Sequence, residues 1–221
     1  MRITIANSHQ HISHTIIRSI DLLPLVTQAL AMKNTNDEQT AETTFNLPAP
    51  SLSAKQLKQR DTQLTKAANG FAEAVLTDAF TARGDLVSQI FERLQDESDL
   101  AWTEHAQLCI GLRDIRTRDG LLRRLHDAPE LRGLFLSHLI REVARADQEF
   151  VAPLATIYAG IAWLEGQSQL TRLAVDHALQ IDSSYSLAQL LDIALRHNVP
   201  PAVWSSSLAA VSFDACLKGA A

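Results

Sequence analysis

Between Ser53 and Asn198 apolar residues recur three and four apart, stripe after stripe, and no stretch shows the period-two alternation of a strand. That property confines the fold to helices packed on helices. The spacing predicts a first helix that opens on the capping-box pair Ser53 and Gln56. It carries Leu57, Leu64, Ala68, Phe71 and Val75, with Gly84 and Asp85 read as its stop and the next N-cap. Val87, Ile90, Phe91 and Leu94 form the next stripe, and Asp99 is placed to cap a helix carrying Leu108, Leu112 and Ile115. Pro129 and Glu130 fit a helix first turn ahead of Leu131, Leu134, Phe135, Leu139 and Val143. Further helices are expected near 150–165 and 168–181, flanking Gly166, and from about 184 to 196, ending before Pro200 and Pro201. The expected main domain, residues 55–221, is all-α.

A chain of 221 residues, 46% hydrophobic and 20% charged, can bury a sizeable core. Residues 33–54, "KNTNDEQTAETTFNLPAPSLSA", are polar and carry Pro48 and Pro50, so they read as a linker, poorly ordered or extended. Residues 1–32 form a short, irregular N-terminal segment. In it "RITIA" is strand-like, and an apolar pattern through Ile12, Ile16, Ile20 and Leu23 stops at Pro24. The net charge of −5 argues against a chain given over to nucleic-acid binding. Two cysteines, Cys109 and Cys216, make neither a disulfide framework nor a zinc-finger spacing, and point to a reducing cytoplasm. The N-terminus lacks the apolar stretch of a signal peptide. The longest apolar run, 153–164, is short of the roughly 20 residues a membrane span needs, so no membrane partner is expected.

Residues 158–182, "YAGIAWLEGQSQLTRLAVDHALQID", have the cadence of a tetratricopeptide repeat, with Ala159, Gly166, Ala178, Leu179 and Asp182 at the expected offsets. Thr171 stands where that pattern has alanine, and Ser183 where it has proline. Three stretches, "LRDIRTRDGLLRRL" (112–125), "PLATIYAGIAWLEGQSQLTRLAVDHALQID" (153–182) and "YSLAQLLDIALRHNVPP" (185–201), together resemble the C-terminal half of a bacterial family named domain of unknown function 4192. The resemblance covers roughly residues 100 to 205. Longer members of that family carry an N-terminal α/β half with no counterpart here. The resemblance implies a helical fold and no particular chemistry.

The stretch 112–125 holds five arginines and two aspartates. On one continuous helix, Arg118 and Asp119 would point into the apolar arc of Leu108, Leu112, Ile115, Leu122 and Leu125, and a buried charge pair needs full hydrogen bonding. Either the helix breaks near Thr117–Gly120, with Asp119 capping a new helix, or the helix continues and Arg118 and Asp119 join an internal polar network between neighbouring helices, or they serve a ligand or partner. The structural readings are preferred. The candidate polar cluster is Arg116, Arg118, Asp119 and Arg123. Residues 113–145 carry eight arginines against five acids, and Asp114/Arg118 and Asp119/Arg123 neutralise one another at i,i+4, so a nucleic-acid face is disfavoured. His9, His11 and His14 have no carboxylate to complete a metal site, and His105 with Cys109 lacks a second pair of ligands. His138 reads as a hydrogen-bonded core histidine, and Trp163 as a packing anchor buried against the following helix. There is no nucleophile elbow, phosphate loop, Rossmann glycine pattern or HExxH, and Ser205–Ser207 have no His or Asp nearby in sequence. No catalytic residue, cofactor or metal is therefore expected. The expected role is a cytoplasmic protein–protein interaction or scaffold module. The alternatives are an accessory or degenerate enzyme subunit lacking its α/β half, and a nucleic-acid accessory protein.

Overall fold

The computed structural model describes residues 39–41, 44–45 and 51–218. The chain divides into two compact units, Met1–Thr40 and Ala41–Ala221. Of the first, only Gln39 and Thr40 are described, both helical and exposed. The N-terminal strand-like stretch and the histidines at 9, 11 and 14 lie outside the described residues.

The second unit runs through α1 (Ala54–Arg93), α2 (Trp102–Arg113), α3 (Ile115–Asp127), a 3-10 turn (Pro129–Leu131), α4 (Arg132–Arg145), α5 (Gln148–Leu164), α6 (Ser168–Ile181), α7 (Ser186–Arg196), α8 (Pro201–Ala209) and α9 (Phe213–Lys218). There is no strand among the described residues, and the fold is all-α. The capping box at Ser53 forms as expected: the Ser53 hydroxyl accepts from Gln56 N at 3.3 Å and Gln56 Oε1 accepts from Ser53 N at 3.0 Å. Gly84 and Asp85, however, do not end that helix. The break falls at Asp78, the one residue of α1 with non-helical backbone (φ −153°, ψ 97°). Its carboxylate accepts from Phe80 N, Thr81 N and the Thr81 hydroxyl, at 3.1, 3.2 and 2.6 Å, capping the second half. An aspartate can satisfy the freed amides of a helix start, which a glycine cannot. α1 is thus two arms, 54–77 and 79–93. Asp99 likewise is not a cap. α2 begins at Trp102, and Glu104 reaches back to Ala101 N at 2.6 Å.

The core is organised on α5, where every position from Phe150 to Trp163 is buried. A helix apolar all round must be enclosed, and α2, α3, α4, α6, α7 and α8 all pack on it. Gly166 turns the chain from α5 into α6 at φ 72°, a left-handed conformation that glycine adopts without a Cβ clash. Thr171, the departure from the repeat pattern, is fully buried with its hydroxyl on Gln167 O at 2.9 Å. The stretch 33–54 is not wholly polar surface. Residues 39–41 and 44–45 are helical, Ala41 and Phe45 are buried, and the Phe45 ring meets Tyr158 edge-on at 5.2 Å and His177 at 5.4 Å. The only aromatic side chain in that polar run buries itself and ties the run to α5 and α6.

His138 is fully buried; its Nε2 donates to Asp96 O at 2.7 Å and its Nδ1 accepts from Arg141 at 3.0 Å. Burial first, and then the Arg141 cation, hold it below the usual histidine range, and burial does the same to His177. A histidine depressed in the fold is protonated more readily by the unfolded chain. Its stabilisation is therefore full above the unfolded value of about 6.5 and is lost as pH falls toward the folded value. In thermal melts, His138→Gln is expected to flatten the loss of Tm below that pH, leaving a residual slope from His177. A profile that coincides with wild type would remove His138 from the account.

Candidate functional site

The arginine-rich stretch is divided by Asp114, where the backbone turns extended (φ −78°, ψ 114°) and the carboxylate accepts from Thr117 N at 2.8 Å. The break thus lies ahead of the expected Thr117–Gly120, and Asp119 caps nothing. Ending α2 at Arg113 re-phases α3, so that Ile115 is 59% exposed while Arg118 faces inward. Arg118, 6% exposed, reaches Asp119 at 2.7 Å and the Tyr185 hydroxyl at 3.3 Å. It joins α3 to the start of α7. Arg123 turns elsewhere, to Val211 O at 2.7 Å and to Asp127. Arg116 is half-buried and pairs with no described carboxylate. The four residues therefore do not converge on one site. Gly120, in the same stretch, is where α9 packs closely: a Cβ there would stand 2.9 Å from Leu217 Cδ2. Asp114→Ala removes a cap that also binds Arg83 at 3.1 Å and is expected to destabilise by about 0.5–2 kcal/mol. Asp119→Ala strips the buried Arg118 of its carboxylate, at about 1–3 kcal/mol. Urea melts in which both variants match wild type would free these charges for a ligand.

The tertiary structure assembles two constellations that sequence distance concealed. His126 Nε2 lies 3.0 Å from Ser205 Oγ, and its Nδ1 lies 3.1 Å from Asp127 Oδ1. This has the outline of a nucleophile–base–acid triad. Arg123, however, donates to Nδ1 at 3.0 Å as well as to Asp127. Nδ1 is then the acceptor, Nε2 carries the proton, and the ring gives a hydrogen bond to Ser205 instead of taking its proton. Ser205 also sits mid-helix in α8, where neighbouring amides are committed to the helix ladder and offer no oxyanion donors. This arrangement fastens α8 to α3.

The second constellation is deeper. His105 Nδ1 lies 2.6 Å from Glu142 Oε2, and its Nε2 lies 3.5 Å from Cys109 Sγ; His105 and Cys109 are fully buried and Glu142 is 1% exposed. Arg145 adds a bond to Glu142 at 2.7 Å, donates to Leu100 O at 2.7 Å and stands over Trp102 at 4.8 Å. Burial, and then the Glu142 charge, push the Cys109 thiol well above its usual range, so it is no thiolate nucleophile. The sequence carried one overlooked signal: an acid, Glu142, on the apolar stripe beside Leu139 and Val143. Among the described residues no group of three His, Cys, Asp or Glu side chains is placed to hold a metal ion. No described helix is long and apolar enough to cross a membrane.

The remaining feature is open. A cleft of about 340 Å³ lies between the two arms of α1 and against α2, floored by Ala67, Gly70, Phe71, Ala74, Leu86 and Ile110, with Lys66, Asp85 and Gln89 on its rim. Its volume falls in the range of about 300–1,000 Å³ typical of binding pockets. Of the first-arm stripe expected to be core, only Leu64 is buried, while Leu57 is 38% exposed and Phe71 and Val75 are half-covered. A family model described as "Domain of unknown function (DUF4192)" matches residues 28–202, beginning well before residue 100, where the sequence resemblance starts. No curated protein and no solved structure matches the chain.

Proposed function

This chain belongs to the family described as domain of unknown function 4192, and we propose that it is a protein–protein interaction module working in the cytoplasm, with the first arm of α1 as its docking element. The observation that carries the reading is the only partly covered apolar stripe of that arm, with Leu57 exposed and Phe71 and Val75 half-covered, beside the α1–α2 cleft. Surface helices bury such a face when they can, and a groove of this kind accepts the apolar face of another helix. The α5–α6 pair, read as tetratricopeptide-like, forms the buried centre of the scaffold, and α5 packs on α2, a wall of the cleft. Six arginines of residues 113–145 pair with carboxylates (Arg113, Arg118, Arg123, Arg132, Arg141 and Arg145), which favours a protein partner over a polyanion. Free cysteines at 109 and 216 accord with a reducing compartment.

A photo-crosslinking residue at Ala74, on the cleft face, tests the reading against one at Asn69, exposed on the other flank of the same arm. In cells producing the full chain, a discrete adduct is expected from position 74 and none from 69. That adduct should vanish when Gly70→Leu fills the cleft wall. No adduct at 74, or equal adducts at both positions, would overturn the proposal.

A further inference from the structure

We infer that the occupant of this cleft is a second copy of the same chain, its first α1 arm packed antiparallel on the first arm of its partner about a two-fold axis at Gly70. This rests on the interaction reading above and names the partner. Gln63, Ala67, Gly70 and Ala74 line the cleft, and with the exposed Thr77 beyond them they are spaced by four, three, four and three, the seam of a close-packed helix pair. The small side chains of Ala67, Gly70 and Ala74 set a short distance between helix axes at the centre of that seam. Gly70 is the telling position. Glycine weakens a helix interior relative to alanine, and no described residue lies within 4 Å of a Cβ built there. No contact with a described residue therefore calls for a glycine; a close-packed helix from a second copy does.

Charge selects a copy of this chain as that helix. Lys66 and Glu73 are seven residues apart on one flank of the arm, both exposed. Neither makes an ion pair with a described residue. In an antiparallel pair centred on Gly70, Lys66 of one copy comes beside Glu73 of the other, and the two-fold axis repeats the pair. Flanking ion pairs of this kind set partner choice and orientation between helices. The same patch serves both copies, as a two-fold interface requires.

Sedimentation equilibrium of the full chain over a wide concentration range tests the inference. The wild type is expected to dimerise reversibly. Gly70→Leu should abolish the dimer without lowering the melting temperature of the dilute protein, because its side chain enters open space in the monomer. Lys66→Glu should weaken the dimer about tenfold, by turning two attractions into repulsions, and Glu73→Lys in the same chain should restore it. A wild type that is monomeric throughout, a dimer indifferent to Gly70→Leu, or a double swap that fails to rescue would each overturn it. An adduct at position 74 to a different protein would overturn self-association while leaving the interaction reading in place.

Discussion

Replacing Glu142 with alanine should destabilise the protein by about 3–5 kcal/mol, the largest effect expected of any single polar substitution here. The carboxylate is 1% exposed and accepts from both His105 and Arg145. Its removal leaves an imidazole and a guanidinium facing each other in a low-dielectric interior with no anion between them. The loss lies in the stranded partners more than in the bond itself, and that distinction is measurable. His105→Leu with Glu142→Met removes both polar groups while roughly keeping volume, and should be much milder than the sum of the single changes. A double-mutant cycle by urea unfolding should then return a coupling of about 0.5–3 kcal/mol. Additive single effects would mean that α2 and α4 are not joined through this pair.

Trp163→Ala is expected to cost about 3–5 kcal/mol. The ring is 3% exposed and stacks on Trp204 at 5.9 Å between centroids, with an interplanar angle of 19°. Trp204 in turn donates its Nε1–H to Gly160 O at 3.1 Å. Deleting the Trp163 ring therefore opens a cavity in α5 and removes the surface on which α8 is seated. α8 has no buried residue of its own, so it should loosen before the rest of the fold. Hydrogen exchange should show faster loss of protection at Pro201–Ala209 than in α5, and far-ultraviolet circular dichroism should lose the tryptophan couplet. An unchanged melting temperature would move Trp163 from the packing of the fold to its surface.

The periodicity of this sequence determined that the protein is helical, roughly where most helices lie, and the inward faces of helices such as α4, because those properties follow from residues three and four apart on one chain. Capping at Ser53, the 3-10 start at Pro129, the left-handed Gly166 and the buried His138 are of this local kind. Where two local signals competed, the tertiary structure chose between them. The long helix breaks at Asp78 and not at Gly84, because the Asp78 side chain supplies acceptors for freed amides while Gly84 packs beside Leu217. The arginine stretch breaks at Asp114, and the resulting change of phase lets Arg118 find Tyr185, 67 residues away. The same holds for Phe45, whose polar surroundings read as linker until α5 and α6 offered it a pocket. Pairings such as His105 with Glu142 and His126 with Ser205 depend on which helices become neighbours. That is decided by the packing of whole apolar faces around α5, and no spacing along the chain encodes it. The first arm of α1 belongs with these. Its stripe has the period of a core helix, and only the folded neighbours decide that Leu64 is buried while Leu57 stays exposed and Phe71 and Val75 stay half-covered.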